Sequence, residues 1–275
     1  MLLPAVADHY RERQRLILST LIPVRRQWAL MGDDLDASWA QVGPRVALLT
    51  ASAQLNAATS GAAYVEAALA QQGKPVEPIA RLDPQGLVGI APDGRSLEQM
   101  LYSAVVTARS AKVDSLPQRL RVGGMWLDGL VQTTISDAAR DASKVAITTR
   151  PGVKYVRFVN PPCCQRCAAL TGEAIKYSHP FQRHPRCDCS MVPTTVANPD
   201  FAGEKLTAAD VTDLTQKQKD ALDGGANFHS TINDYQRKRG DFSGYLPPTR
   251  VDRVIDRAGQ RDKAAAALAE LGILI

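Results

Sequence analysis

The first half of the chain places apolar residues at the spacing of an α-helix. Over residues 8–31 leucine and isoleucine recur every three or four positions, and Pro23 is expected to break or kink this run. A second helical pattern, rich in alanine, covers residues 37–72, with Pro44 expected in its first turns. Residues 74–95 contain four prolines and three glycines and are therefore predicted to form a loop.

Two more helices are predicted before residue 150. Ser96-Leu-Glu-Gln99 has the form of a capping box, which predicts a third helix to about Val113. Pro117 precedes a fourth helical pattern over residues 120–145, which carries small residues that allow close helix packing: Ala138, Ala139, Ala142 and Ser143. Packing among helices is the expected role of this half. The same residues would also suit contacts with copies of the chain or with a partner.

The periodicity changes after residue 150. Residues 154–159 alternate as a strand does, and Asn160-Pro-Pro162 ends that strand. Residues 170–175 predict a turn and a short strand, and residues 189–192 predict a last strand closed by Pro193. The two ends of such a hairpin can bring distant residues to one point.

The chain divides into four regions on these patterns. They are an N-terminal helical region (1–95), a helical segment (96–150), a Cys/His-rich β-hairpin domain (151–199) and a polar C-terminal region (200–275). In the last region Thr207 and Thr215 are predicted to cap two short helices, and residues 249–271 form an amphipathic helix. The predicted fold class is mainly α with a small zinc-knuckle-like β-hairpin unit (α+β) and an elongated helical N-terminal half.

All five cysteines fall within residues 163–189, which indicates a single site. Cys164 and Cys167 have the C-x₂-C spacing that lets two sulfurs reach one zinc ion. His184 with Cys187 is the preferred second pair, and Cys189 is an alternative ligand because alternate residues of a strand share a face. Reduced thiols, a disulfide such as Cys164 to Cys189, or a redox-active thiol are the alternatives to zinc.

Composition and charge add modest constraints. The 275 residues are 45% hydrophobic and 22% charged, which is ordinary for a soluble protein. The apolar stretch at the start of the chain is too short, and is interrupted by charge too early, to be a signal peptide. No apolar run reaches membrane-spanning length. Synthesis in a reducing cytoplasm, without a membrane, is therefore expected.

The net charge of +5 is concentrated near the cysteines, because residues 150–199 contain seven basic and two acidic residues. Arg166, Arg183 and Arg186 are expected to offset thiolate charge or to offer a surface to anions. A second basic cluster, comprising Arg237, Lys238 and Arg239, is expected to be a solvated loop or a contact with packaged DNA or an acidic partner. The zinc motif and the basic residues together leave a zinc-dependent nucleic-acid-binding protein as an alternative function.

The motif Cys164-x₂-Cys167, Leu170-x-Gly172 and His184-Pro-x-Cys187-x-Cys189 resembles the C-terminal domain of phage Mu F-like minor head proteins. Downstream segments are similar to actinobacterial phage members: Leu214-Thr-Gln-Lys-Gln218, Gly225-Ala-Asn227, Ile232-Asn233, Arg237-Lys-Arg-Gly240 and Leu246-Pro-Pro-Thr249. The resemblance covers about residues 100–275. The chain departs from the family pattern at Cys163-Cys164, where a typical member has one cysteine.

The resemblance implies a structural protein of the virion, inside the head and near the portal, made in the host cytoplasm. Its implied partners are the portal protein, the major capsid protein or packaged DNA, with self-association as a further option. It implies a role in procapsid assembly, DNA packaging or ejection, and no enzymatic activity.

A capsid maturation protease is the alternative function, because Ser178, His179, His184 and Ser190 lie close together in the sequence. The chain has no G-x-S-x-G or H-E-x-x-H motif to support it. His9 and His229 are isolated and are interpreted as surface or capping histidines. A zinc-hairpin nuclease would need acidic ligands beyond Glu173 and Asp188.

Overall fold

The computed structural model describes residues 2–172, 174–197, 206–232 and 245–275. Across these residues the protein is mainly helical with a small antiparallel sheet, which confirms the predicted fold class. The first half consists of four long helices: α1 (Pro4–Trp28), α2 (Leu35–Gln71), α3 (Leu97–Ser110) and α4 (Leu116–Thr148). Each of the last three begins with a side-chain cap, in which Asp34, Ser96 and Ser115 respectively accept a hydrogen bond from a backbone amide.

Helix α4 is the central element of this half, because it packs against α1, α2 and α3. Its residues 134–148 are buried on every side. A Cβ atom at Gly61 of α2 would lie 2.5 Å from the carbonyl oxygen of Ala139, so the two backbones approach as closely as glycine allows. Ser143 Oγ donates to Gly61 O at 3.1 Å across the same contact. The predicted role of the small residues in helix packing is therefore confirmed.

Two prolines lie inside helices, Pro23 in α1 and Pro44 in α2. Helix α1 runs through Pro23 without a break, so the expected break is wrong. Pro44 lies in the interior of α2, beyond its first turns. A proline removes one backbone hydrogen bond. In both helices the valines nearby, Val24 and Val46, are fully buried, so tertiary packing offsets that loss.

The sheet pairs β1 (Lys154–Phe158) with β2 (Ser190–Thr194) in antiparallel register, from Lys154 opposite Thr194 to Phe158 opposite Ser190. Pro193 lies within β2 opposite Tyr155, so it does not close the strand as predicted. The predicted strand at 170–175 is reduced to a bridge between Ile175 and Tyr155. Between the strands, a single helical turn, α5 (Gln165–Ala168), follows Cys164.

The C-terminal region contains short helices. Thr207 and Thr215 close capping boxes at a 3-10 turn (Ala208–Asp210) and at α6 (Gln216–Asp223), as predicted. The predicted final helix is two helices, α7 (Arg250–Ala258) and α8 (Arg261–Glu270). Gly259 separates them with a φ of 69°, a conformation that ends a helix and favours glycine.

The hydrophobic core consists of two clusters. One fills the space among α1, α2, α3 and α4. The other includes buried residues of α2, α4, both strands, α7 and α8, together with Cys163, Cys167, Cys187 and Cys189. The cysteine region therefore shares its core with the long helices.

Candidate metal centre

Two short backbone turns present the potential ligands. Cys164 precedes the first residue of α5 and Cys167 lies on that turn, where the Cys167 amide donates to Cys164 O at 3.1 Å. His184 and Cys187 flank a second turn, closed by the Cys187 amide and His184 O at 3.0 Å. Arg186 in that turn has a φ of 62°, an unusual conformation for a residue other than glycine. Residues 184–189, here called the ligand loop, lead directly into β2.

The ligand atoms converge. His184 Nε2 lies 3.3 Å from both Cys164 Sγ and Cys167 Sγ, and Cys167 Sγ lies 3.8 Å from Cys187 Sγ. Two sulfurs bound to one tetrahedral zinc ion are about 3.8 Å apart, given a Zn–S bond of about 2.3 Å. Two groups of three ligands, each within 4.8 Å of one another, share Cys167: Cys164, Cys167 and His184, and Cys167, Cys187 and Cys189. The cluster could therefore hold a metal ion.

Hydrogen bonding within the cluster favours the thiolate form of two cysteines, Cys164 and Cys187. A hydrogen bond with Cys167 lowers the pKa of Cys164 to about 4. Hydrogen bonds with Cys167 and Cys189 likewise lower the pKa of Cys187. The hydrogen bond to Cys164 raises the pKa of His184 to about 9. Sulfurs that readily lose their protons are the ones a metal cation needs as ligands.

Buried arginines surround the ligand loop. Arg13 of α1, Arg140 of α4 and Arg157 of β1 are each at most 3% exposed. Burial lowers the pKa of Arg157, but the thiolates of Cys189, Cys167 and Cys187 more than offset this and raise it. Nothing in the motif indicated Arg13 or Arg140, because they are distant from it in sequence. A charged residue on the otherwise buried face of α4 was the available signal for Arg140.

The three arginines near the motif, Arg166, Arg183 and Arg186, do not share one role. Arg183 is buried, and its Nε lies 2.8 Å from both carboxylate oxygens of Asp137. Arg186 instead donates to Met125 O at 2.8 Å, and its amide donates to Thr133 Oγ1 at 2.9 Å, so it ties the ligand loop to α4. Arg183 is therefore unavailable to external anions. The role predicted for Arg166 stays a prediction.

The structure also bears on the alternatives to a metal site, which are a disulfide or free thiols. All five cysteines lie in the described part of the chain, and none forms a disulfide. Cys163 lies outside both ligand groups, and its amide donates to Asp210 O at 2.8 Å. Burial raises the pKa of Cys163 to about 12.

Two of the four residues considered for a protease, Ser190 and His184, have other side-chain partners. Ser190 Oγ accepts a hydrogen bond from Arg13 at 2.8 Å, and His184 lies against the thiols. The backbone oxygen of His179 accepts hydrogen bonds from Lys144 and Tyr155. Among the described residues, the hydrogen bonds do not join Ser178 or Ser190 to either histidine.

His9 is buried, so its interpretation as a surface or capping residue is wrong. It is 4% exposed and stacks on Tyr64 with ring centroids 4.3 Å apart. Its Nδ1 lies 3.5 Å from Ser60 Oγ, which donates to Glu12 at 3.2 Å. Burial and the charge of Arg13 lower the pKa of His9 to about 3, which makes it a weak base. His229 is exposed.

Arg237, Lys238 and Arg239, predicted to contact DNA or a partner, lie outside the described residues, as does Glu173. Comparison of the chain with protein family models, curated proteins and solved structures finds no match. The resemblance to minor head proteins therefore stays a prediction from the motif. In the described ranges, none of the helices has the length and apolar composition needed to cross a lipid bilayer.

Proposed function

We propose that the chain is a structural minor head protein of a tailed bacteriophage, in which a zinc ion holds the Cys/His region together. The observation that carries the proposal is the convergence of the ligand atoms in two groups that share Cys167, one with Cys164 and His184 and the other with Cys187 and Cys189. These residues belong to the motif that resembles the Mu F-like family. Their convergence supports reading the motif as a folded unit.

The donor set supports zinc as the ion. Thiolate and imidazole are the ligands that zinc prefers in proteins, and structural sites use four of them. Cys167 and Cys187 are at most 4% exposed, and Cys189 is 1% exposed. Cys164 and His184 are half-buried, and four protein ligands on a tetrahedral ion would leave no open position for a substrate. The ion would therefore act on stability, and the protein would act by binding.

The fold supports a binding role in the head. Four long helices provide an extended surface, and exposed apolar side chains lie on several of them, including Leu18, Ile22, Leu48 and Trp126. Such side chains are available for contacts with the portal protein or the major capsid protein. The protein would then assist procapsid assembly, DNA packaging or ejection from inside the head.

The proposal is tested first by metal analysis of the protein purified from a bacterial cytoplasm. We expect about one zinc per chain, lost together with the fold of residues 151–196 on addition of a strong chelator. A protein with no metal and five reactive thiols would contradict the zinc centre.

The head role is tested separately by co-expression with the portal and major capsid proteins of the same virus. We expect the chain to sediment with portal-containing procapsids in a few copies and to leave the other proteins uncut. Cleavage of a scaffold or capsid protein that is lost in Ser178→Ala or His179→Ala would instead support the maturation protease.

A further inference from the structure

The ligand loop is held by hydrogen bonds from two long helices. Arg140 of α4 donates from Nε to Cys189 O at 2.9 Å and from a terminal nitrogen to Cys187 O. Arg13 of α1 donates to Asp188 O, and its other terminal nitrogen donates to Ser190 Oγ at 2.8 Å. Three consecutive carbonyl groups of the loop therefore have side-chain donors instead of backbone partners.

The alternation of these carbonyls explains the direction of the sulfurs. In extended backbone, neighbouring carbonyls point to opposite sides and alternate side chains share a face. Arg140 contacts the carbonyls of Cys187 and Cys189, and Arg13 contacts the one between them. The two arginines therefore fix residues 187–189 of the loop in an extended form. In that form both Cys187 and Cys189 approach Cys167.

The guanidinium group is suited to this task. Arg140 also pairs with Asp137, so one planar group joins two carbonyls and one carboxylate. A lysine ammonium is a single point charge and cannot reproduce this fork. Tyr10 adds a contact from α1, since its hydroxyl donates to the Asp188 carboxylate at 2.8 Å.

We infer that Arg13 and Arg140 are positioning residues of the metal centre and that they couple metal occupancy to the docking of α1. The inference rests on the proposed zinc site. Without these donors, three buried carbonyl groups would lose their partners and the loop would leave the extended form. Without the ion, the loop would lose its other anchor, and α1 would lose the partners of Tyr10 and Arg13.

The positioning role is tested on the full chain by zinc competition with a chromophoric chelator. We expect Arg140→Lys and Arg13→Lys to weaken zinc binding by about 10- to 100-fold, the usual effect of removing a group that orients a ligand. Arg25→Lys is the matched control, because Arg25 joins the same two helices through Asp128 at the surface. Its zinc affinity should equal that of the wild type.

Cobalt(II) substitution separates positioning from general stability. The sulfur-to-cobalt charge-transfer absorption reports how many thiolates bind the ion, and we expect it to weaken in folded Arg140→Lys and Arg13→Lys but not in Arg25→Lys. Unchanged affinity and an unchanged cobalt spectrum in both variants would overturn the positioning role. If Arg140→Lys fails to fold, Arg13→Lys and the wild-type measurement below decide.

The coupling is tested in the wild type by amide hydrogen exchange with and without a chelator. We expect faster exchange in α1 after zinc removal, with α3 as the internal reference because the hydrogen bonds that hold the ligand loop come from α1 and α4. Equal exchange in α1 would overturn the coupling. A wild-type protein that binds neither zinc nor cobalt would overturn both the zinc proposal and this inference, whereas normal binding by the variants would overturn the inference alone.

Discussion

The long helices and the Cys/His region satisfy their backbone groups in different ways. In α1 to α4 most carbonyls accept from the amide four residues along the chain, so side chains are left for packing. Residues 159–189 form little regular structure, and buried cationic side chains serve their carbonyls instead. Lys144 donates to His179, Arg157 to Gln182, and Arg140 to Cys187 and Cys189.

This difference explains why charged residues lie inside the helical half. Lys144 and Arg140 are both on α4 and both buried, yet their donors point out of the helix towards irregular backbone. Burying a polar group without a hydrogen bond costs free energy. Here each buried side-chain donor pairs with a backbone carbonyl, so neither group is left unsatisfied. The long helices thus stabilise the Cys/His region through these hydrogen bonds, and a metal ion would stabilise it through the ligand atoms.

Loss of the metal should separate the two regions most strongly. Cys167→Ser removes the sulfur shared by both ligand groups. Structural zinc contributes on the order of 10 kcal/mol to small metal domains, so we expect residues 151–196 to unfold while most helical circular dichroism remains. Cys163→Ser, outside both groups, is the control and should bind zinc normally. Simultaneous loss of all helical signal would contradict a difference between the regions.

Removal of a buried charge should have the next largest effect. Lys144 Nζ lies 3.4 Å from Asp252 Oδ1, and both side chains are at most 3% exposed. Asp252→Asn leaves the ammonium without its counter-charge, which typically costs about 3–5 kcal/mol. Urea unfolding measures the loss. Adding Lys144→Met should recover part of it, and a double variant no more stable than Asp252→Asn would refute the pairing.

A change confined to helix packing should cost less. Gly61→Ala places a methyl group 2.5 Å from a backbone oxygen of α4, which must shift. Such overpacking costs about 1–3 kcal/mol, so we expect a lower melting temperature and unchanged zinc content. Ser52→Ala, at an exposed position of the same helix, should change stability by less than about 0.5 kcal/mol. Loss of zinc from Gly61→Ala would show that the regions are more tightly linked than we describe.

The last effect depends on pH and amounts to about 2 kcal/mol between pH 6.5 and pH 5. The pKa of His9 is about 3 in the folded chain and about 6.5 when unfolded, so neutral His9 stabilises the fold above pH 6.5. This stability is lost as pH falls from 6.5 towards 3, by about 1.4 kcal/mol per pH unit. His9→Phe keeps a ring on Tyr64 and should flatten the slope. Equal slopes for both proteins in urea unfolding between pH 5 and 7 would contradict burial of His9.

Element type could be read from the sequence where the pattern was long or the cap was explicit. The four long helices, the strand after residue 153 and the caps at Ser96, Thr207 and Thr215 are examples. Interruptions were less predictable. Pro23 and Pro44 stay within helices because buried packing outweighs one lost hydrogen bond, and Gly259 divides a pattern that looks continuous. Local pattern does not report the strength of packing from elsewhere in the fold.

By itself, the sequence determined the helical character of the first half and the closeness of the ligand residues along the chain. Spacing within a motif is a local property, so it can be read without a fold. Only the tertiary structure decided which residues surround that motif. Arg13 and Arg140 reach the ligand loop from α1 and α4 because those helices share a core with the strands. Contacts between residues 47 to 175 positions apart leave no mark in local periodicity, and they exist only once the chain is packed.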